Sequence, residues 1–313
     1  MNEETLRDRR LGTILAGAIG DALGHPTEFM SLSSIYEKYG VDGVQGFSLW
    51  RKDPETGKEY SPYTDDTQMA EVVLRTILSA QLADLDEEHM FEKMAEGFVE
   101  WARNPQGGHR APGGACMSGC RALGSGVPWR EAGGPSAGGC GSVMRCYPFG
   151  LFFEPDEAER LAVAHSAMTH RDPIALAACA AMARGVALNL RDVPVDEVIQ
   201  EMIAAAARYS EQTAEMMTDA WEQAKAGTHA DVVLSRYEGW AAHDAIAATV
   251  YLFACFPEDP KGAMLRGVTS KGDSDSLGTL AGAIVASRTG LKSLPEDLVR
   301  DVERSEVFLS ILD

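Results

Sequence analysis

The stretch Gly272-Asp273-Ser274-Asp275-Ser276, with the run behind it from Leu277 to Arg288 (Leu-Gly-Thr-Leu-Ala-Gly-Ala-Ile-Val-Ala-Ser-Arg), decides how this chain is read. The run is small and apolar on every side, which is the composition of a helix buried in a core and able to approach its neighbours closely. Two carboxylates and two hydroxyls stand at its entrance. Far upstream, Thr64-Asp65-Asp66-Thr67 opens a second helical pattern in the same way. Thr and Asp are favoured N-caps, and acids in a first turn suit the helix dipole, so capping accounts for part of each pattern. Two close acids with a hydroxyl at both entrances exceed what capping needs. Oxygen donors of this kind suit Mg²⁺ or Mn²⁺, and the lack of His and Cys in either cluster disfavours Zn²⁺. The reading requires the two clusters to meet in space, where they would hold a pair of divalent cations.

Outward from these entrances, helical periodicity dominates. Leu6–Gly24 reads as a first helix whose Gly12, Ala16, Gly17 and Gly20 point to close packing, with Gly24 as its C-cap. Glu28 follows in the exit turn. A short helix is expected over Ser33–Tyr39, then an irregular loop over Gly40–Tyr63. Asp66–Leu82 and Glu87–Arg103 read as helices, the latter with Met90, Met94, Phe98 and Trp101 inward. Dense Gly and Pro interrupt the pattern over Asn104–Met144, apart from a helix at Ala115–Leu123; so irregular a segment inside a domain is commonly functional. Helices are then expected at Glu157–Ala167, Pro173–Asn189, Val195–Ala207, Glu211–Ala226, His243–Cys255, Pro260–Thr269, Leu277–Thr289 and Pro295–Leu312. Strand signals are confined to Gly43–Leu49 and Asp231–Leu234. No repeat or linker divides the chain, so residues 1–313 are expected to form one all-α, compact, orthogonal helical domain.

Composition narrows the function. The 313 residues include 28 Lys and Arg against 47 Asp and Glu, a formal charge of −19. So acidic a chain is poorly suited to nucleic acid, where phosphate neutralisation supplies most of the affinity, or to an anionic membrane. No stretch is long and apolar enough to span a bilayer. The segment Leu11–Leu23 contains Asp21 and ends without a signal-peptidase site, which reads as a mature cytoplasmic start. Six scattered Cys with no C-x-x-C pair read as reduced structural thiols. A calcium loop begun at Asp273 lacks the Glu required at its twelfth position, and no P-loop or G-x-G-x-x-G fingerprint occurs.

Seven motifs, in order, carry a resemblance. They are Gly17-Ala-Ile-Gly-Asp-Ala-Leu-Gly24 with Glu28-Phe29; Tyr63-Thr-Asp-Asp-Thr-Gln-Met69; Arg110-Ala-Pro-Gly113; Gly139-Cys-Gly-Ser-Val-Met-Arg145 with Pro148; Thr169-His170 with Pro173; Gly239-Trp240; and Gly272-Asp-Ser-Asp-Ser276. Together they resemble the ADP-ribosylglycohydrolase family, which includes dinitrogenase reductase-activating glycohydrolase and the ADP-ribosylhydrolases. The resemblance runs from Leu11 to about Gly290.

The resemblance implies an all-helical hydrolase of the bond joining ADP-ribose to a modified protein side chain, most readily arginine, with two Mg²⁺ or Mn²⁺ ions as cofactors. It implies Thr64, Asp65, Asp66, Asp273, Asp275 and Ser276 as metal ligands. Glu28 is implied as the acid beside the metals, and Glu28 or Asp66 as the carboxylate that orients water. It implies the loop Gly139, Cys140, Gly141, Ser142, Val143 and Met144 as an approach to phosphates and ribose through backbone N–H groups, with His170 beside it. An ADP-ribosylated protein is then the substrate and ADP-ribose the product.

Two positions depart from the common family pattern. Ser276 stands where Thr is frequent and keeps the ligating hydroxyl. Cys140 stands where Asn is frequent and cannot reproduce an amide's hydrogen bonds. The combination resembles a bacterial branch of the family. His165 and His170 flank a Ser-Ala-Met-Thr turn and suit structural hydrogen bonding; Trp240, His243 and Asp244 open a helix beside the cleft; Arg145 reads as an anchor of its own loop.

Other readings share these residues: release of O-linked ADP-ribose from serine, hydrolysis of a small ADP-ribosyl metabolite, neutralisation of an ADP-ribosyltransferase toxin as an immunity protein, or a non-enzymatic role, since the resemblance extends to a lens crystallin. The full set of acids weighs against a dead scaffold.

Overall fold

Gly20 and Gly278 set the architecture. A Cβ added at Gly20 would lie 2.1 Å from the Gly278 carbonyl oxygen, and one added at Gly278 would lie 2.5 Å from that of Gly20. The two helices that carry them are therefore packed backbone to backbone. A computed structural model of the chain describes residues 1–52, 57 and 59–313.

The first of these helices, α1 (Glu3–Gly24), is capped by Asn2 and carries Glu3 and Glu4 in its first turn. It runs along the helix Ser274–Thr289 over most of its length. Gly24 is helical rather than a left-handed C-cap, because the chain continues into a 3₁₀ turn at His25–Thr27. Its glycine serves contact instead: a Cβ there would sit 2.4 Å from the Cα of Asp275.

The order continues with α2 (Leu32–Tyr39), a two-residue antiparallel ladder β1 (Arg51–Lys52) with β2 (Glu59–Tyr60), α3 (Asp65–Leu82), α4 (Glu87–Arg103) and α5 (Gly114–Gly124). Then come α6 (Tyr147–Phe152), α7 (Pro155–Ser166), α8 (Pro173–Asn189), α9 (Val195–Ala207), α10 (Glu211–Lys225), α11 (Ala230–Arg236) and α12 (Ala242–Cys255). The last are α13 (Pro260–Val268), α14 (Ser274–Thr289), α15 (Glu296–Asp301) and α16 (Ser305–Leu309). The all-α expectation holds. In α14 every residue from Ser274 to Ser287 is buried, as its uniformly small, apolar composition requires. Helix α13 flanks it; α6, α7, α9, α10 and α12 pack around α8, and α3 and α4 add their buried faces to the same core.

Three sequence expectations need correction. Gly43–Leu49 forms no strand, and the ladder lies later in the same loop. Residues 53–56 and 58 of that loop lie outside the described residues. Asp231–Leu234 is helical, because His229 caps the turn by accepting from the Asp231 amide and Val233 and Leu234 are buried on its inner face. Tyr147–Phe152, to which the sequence reading assigns no element, is a helix opened by Pro148. Pro295–Leu312 is not one helix: it breaks at Arg304, which takes a left-handed conformation at φ 56°. No helix among the described residues is long and apolar enough to cross a membrane.

Candidate active site

Two helix entrances meet. At α3, the Thr64 hydroxyl accepts the Asp66 amide at 3.3 Å. Asp21, reaching over from α1, accepts from the amides of Thr64 (2.8 Å) and Thr67 (3.0 Å) and from the Thr67 hydroxyl (2.6 Å). The free N–H groups of the first turn are thus satisfied by a neighbouring helix's carboxylate. The entrance of α14 is built differently. Asp273 occupies the N-cap position, yet its side chain makes no capping bond. The Ser274 hydroxyl donates to the Gly24 carbonyl at 3.0 Å and ties the turn to α1, while the flanking Asp273 and Asp275 line an open cleft. Ser276 then donates to Asp66 Oδ2 at 2.9 Å.

The cleft holds about 310 Å³, and Glu28, Asp65, Asp66, Asp273, Asp275 and Ser276 line its acidic side. Thr64 lies behind them, its hydroxyl 3.4 Å from Asp66 Oδ1. All the acids that the sequence singled out are therefore together. Burial raises the pKa values of Glu28, Asp65, Asp66 and Asp273, and repulsion from neighbouring carboxylates, Asp275 foremost, raises them further. Asp65 is pushed to about 7 and Glu28 to about 8, and Asp66 and Asp273 go well above the usual carboxylate range. Asp65 is partly relieved by backbone N–H groups, its own and that of Gly113, and by the charge of Arg145.

The opposite wall is the irregular segment. Gly139, Cys140, Gly141, Met144 and His170 line it. Ser142 and Val143 do not: the Ser142 hydroxyl is bound by Ser166 at 2.8 Å, and Val143 is core. The amides of Cys140, Val143 and Met144 are spent on the carbonyls of Trp240 and Cys140, so they are not free to cradle an anion. Arg145 does anchor its own loop, donating to the Gly141 carbonyl at 2.8 Å. At the lip, exposed Phe29 stacks on Trp240 with ring centroids 4.9 Å apart. His243 and Asp244 are not among the residues that line the cleft.

Sequence reading passed over two features. Asp21 lies within the Gly17–Gly24 motif, and nothing in the sequence there assigns it a partner. A single acid in an otherwise apolar helical run was the available signal. The Phe29–Trp240 pair spans 211 residues of chain, and no local pattern announces it.

The donors fit hard divalent cations: four buried aspartates and a serine hydroxyl offer only oxygen, and their repulsion is what cations would relieve. Among the described residues, no three His, Cys, Asp or Glu side chains stand at the mutual spacing of a formed metal centre. The Ser276–Asp66 bond occupies an oxygen that a cation would take. Cys140 borders the cluster as a neutral thiol, since burial and then Asp273 hold its pKa well up.

The family model described as ADP-ribosylglycohydrolase matches residues 2–313. The chain belongs to the ADP-ribosylglycohydrolase family. It is 25% identical over 305 residues to the ADP-ribosyl-[dinitrogen reductase] glycohydrolase of Rhodospirillum rubrum, covering 94% of this chain and 90% of that protein. It is likewise 25% identical over 326 residues to the ADP-ribosylarginine hydrolase Tri1 of Pseudomonas putida, covering 98% and 77%. An uncharacterised Archaeoglobus fulgidus protein is 27% identical over 277 residues, covering 88% and 86%. The fold is shared with a solved structure described as an ADP-ribosylglycohydrolase-related protein complex, at a TM-score of 0.70 and 22% identity, covering 98% of this chain and 96% of the other. Glycohydrolase-family membership thus accounts for the helical architecture around the cleft.

Proposed function

We propose that this chain hydrolyses the N-glycosidic bond between ADP-ribose and a protein arginine, releasing ADP-ribose. The observation that carries the reading is the single cleft in which Asp65 and Asp66 meet Asp273, Asp275 and Ser276, with Glu28 at its side. Thr64, Asp65, Asp66, Asp273, Asp275 and Ser276 are the residues that would hold two divalent cations, Mg²⁺ or Mn²⁺. When bound, such ions supply positive charge to ribose hydroxyls and polarise water.

The protein's own groups divide the remaining work. Breaking the C1–N bond leaves oxocarbenium character on the ribose, the water oxygen bonds to C1, and the departing guanidine takes up a proton. Glu28 is the better base of the two carboxylates considered. Asp66 has both oxygens engaged, by Thr64 and Ser276. The Glu28 carboxylate has no hydrogen-bond partner among the described residues, is only partly buried, and has its pKa raised to about 8 by burial and Asp275, near working pH. Gly139, Cys140, Gly141, Met144 and His170 form the wall that would receive the ADP-ribose. The stacked Phe29 and Trp240 offer flat aromatic faces suited to a planar guanidinium, and the relative named as an ADP-ribosylarginine hydrolase supports that aglycone. Six free thiols, five of them buried, suit a reducing cytoplasmic setting.

The test is incubation with proteins carrying ADP-ribose on arginine or on serine, with and without EDTA. Release from arginine alone, abolished by EDTA and restored by Mg²⁺ or Mn²⁺, is the expected result. Release from serine alone moves the assignment to the O-linked bond. Release from neither, in protein shown to bind Mn²⁺, removes the hydrolase reading.

A further inference from the structure

We propose that Arg145 is a positioning residue that fixes two buried histidines in opposite tautomers and thereby makes His170 a permanent N–H donor on the cleft wall. The proton placement follows from hydrogen bonding alone. The identity of the acceptor, a diphosphate oxygen of ADP-ribose, rests on the function proposed above.

Arg145 is fully buried with its guanidinium 4.5 Å from the Phe98 ring centroid. A guanidinium can only donate. Its Nε donates to His165 Nε2 at 3.0 Å, so that nitrogen must present a lone pair. The proton of a neutral His165 then sits on Nδ1, and the Ala162 carbonyl accepts it at 3.0 Å. The second branch runs the other way. Arg145 Nη2 donates to Thr169 Oγ1 at 2.6 Å, so the threonine oxygen is an acceptor there and its one proton must point elsewhere. Thr169 is fully buried, and the other polar partner of its hydroxyl among the described residues is His170 Nδ1, at 2.8 Å. Were Nδ1 protonated, two hydrogens would face each other or the hydroxyl proton would be buried without an acceptor, which proteins avoid. His170 Nδ1 therefore accepts, and its proton is on Nε2.

That nitrogen makes no hydrogen bond among the described residues, and His170 is one of the residues that line the cleft. Its ring lies against the glycine loop: a Cβ on Gly141 would come within 3.0 Å of His170 Cε1. Both rings are held neutral. Burial, and then the charge of Arg145, push His170 down to about 3 and His165 well below its usual value. A neutral, pre-aimed N–H suits an anionic oxygen, for which the hydrogen bond is charge-assisted. The same guanidinium holds the Gly141 carbonyl through Nη1, so donor and loop are aligned by one side chain.

The experiment is ¹⁵N NMR of the full chain labelled on its histidine rings, with ADP-ribose titrated in. In wild type, His165 should carry its proton on Nδ1 and His170 on Nε2, and ADP-ribose should shift the His170 Nε2 resonance. Thr169→Val removes the relay hydroxyl at nearly constant shape. It should mix the His170 tautomers, leave His165 unchanged and weaken ADP-ribose binding about tenfold. Thr169→Ser should restore both properties. A wild-type His170 protonated on Nδ1 overturns the proposal whatever the variants do, and so does a Val variant that binds ADP-ribose as tightly as wild type. A correct tautomer that ignores ADP-ribose overturns the donor role. Turnover of ADP-ribosylarginine decides the proposed function separately, because none of these readouts depends on hydrolysis.

Discussion

The hydroxyl of Ser276 donates to Asp66 Oδ2 at 2.9 Å, joining positions 210 residues apart. Each residue belongs to the first turn of its helix, so the bond measures how closely the entrances of α3 and α14 approach. The approach exists because α1 has no side chain at the points where α14 crosses it. Chain order separates the acids, and glycine packing reunites them.

Gly24→Ala tests that dependence. The new methyl would fall 2.4 Å from the Asp275 Cα, against backbone that has no rotamer to yield. Overpacking of this kind costs about 1–3 kcal/mol. Thermal melts should show a loss of about 2–4 °C for each kcal/mol in a domain somewhat smaller than this one. Mn²⁺ affinity should fall as well, because the displaced backbone carries Asp275. A variant that melts early yet binds Mn²⁺ as wild type does would separate the helix contact from the site.

Asp275→Asn should behave in the opposite way. Asp275 is the leading neighbouring charge behind the raised pKa values of Asp66, Asp65, Asp273, Asp21 and Glu28. Neutralising it relieves repulsion in metal-free protein, and about 1 kcal/mol of relief corresponds to a rise of about 2–4 °C in EDTA. The same change removes a charged cation ligand, so hydrolysis should fall at least about 100-fold, or about 2.7 kcal/mol. An acid serving only as a cap would instead lower the melting temperature with and without Mg²⁺ and spare turnover.

Much of this was legible in the sequence, for identifiable reasons. Helices such as Glu87–Arg103 and Pro173–Asn189 were read to the residue because cap, periodicity and terminator agree in one short window. The acidic residues were legible because two oxygen-rich entrances exceed what capping explains. Their convergence was expected from the chemistry of a shared cation site, but the packing that brings it about, Gly20 meeting Gly278 across the core, has no local signal. The strand reading of Asp231–Leu234 failed because Val232-Val233 favours a strand locally while burial of Val233 and Leu234 favours one helical turn. The break in Pro295–Leu312 was invisible for a similar reason: residues 303 and 304 turn inward to partners 193 and 233 residues away.

Those partners make the third prediction. Glu303 takes two parallel hydrogen bonds from buried Arg110, at 2.6 and 2.8 Å, while Arg304 ties Glu71 and the Tyr63 hydroxyl. Arg110 also donates to the Tyr63 carbonyl, one residue before Thr64. Both cleft segments, 63–66 and 110–114, are thereby fastened to the C-terminal turn. Glu303→Ala leaves the guanidinium buried without its counter-ion, a loss of about 3–5 kcal/mol. Chemical denaturation should register it, and the double variant Arg110→Met with Glu303→Leu should recover much of the loss.

The last prediction concerns pH. In metal-free protein the folded-state pKa values of Asp21 and Glu28 lie at about 8 and that of Asp65 at about 7, against ordinary values of 3.8, 4.5 and 3.8. Burial is the first cause in each case and Asp275 the second. Between the ordinary and the raised values the folded chain holds protons that the unfolded chain has released, so stability falls as pH rises. The contribution is complete below about pH 4 and is lost as pH passes through 7 to 8. In EDTA the melting temperature should therefore decline from pH 5 to pH 8. Cations compete with those protons for the same oxygens, so saturating Mg²⁺ should raise the melting temperature most at pH 8 and least at pH 5. Asp275→Asn should flatten the slope in EDTA and shrink the Mg²⁺ increment at pH 8. A wild-type profile that rises with pH in EDTA, or an increment independent of pH, would mean that these carboxylates are already compensated within the protein and do not form a cation site.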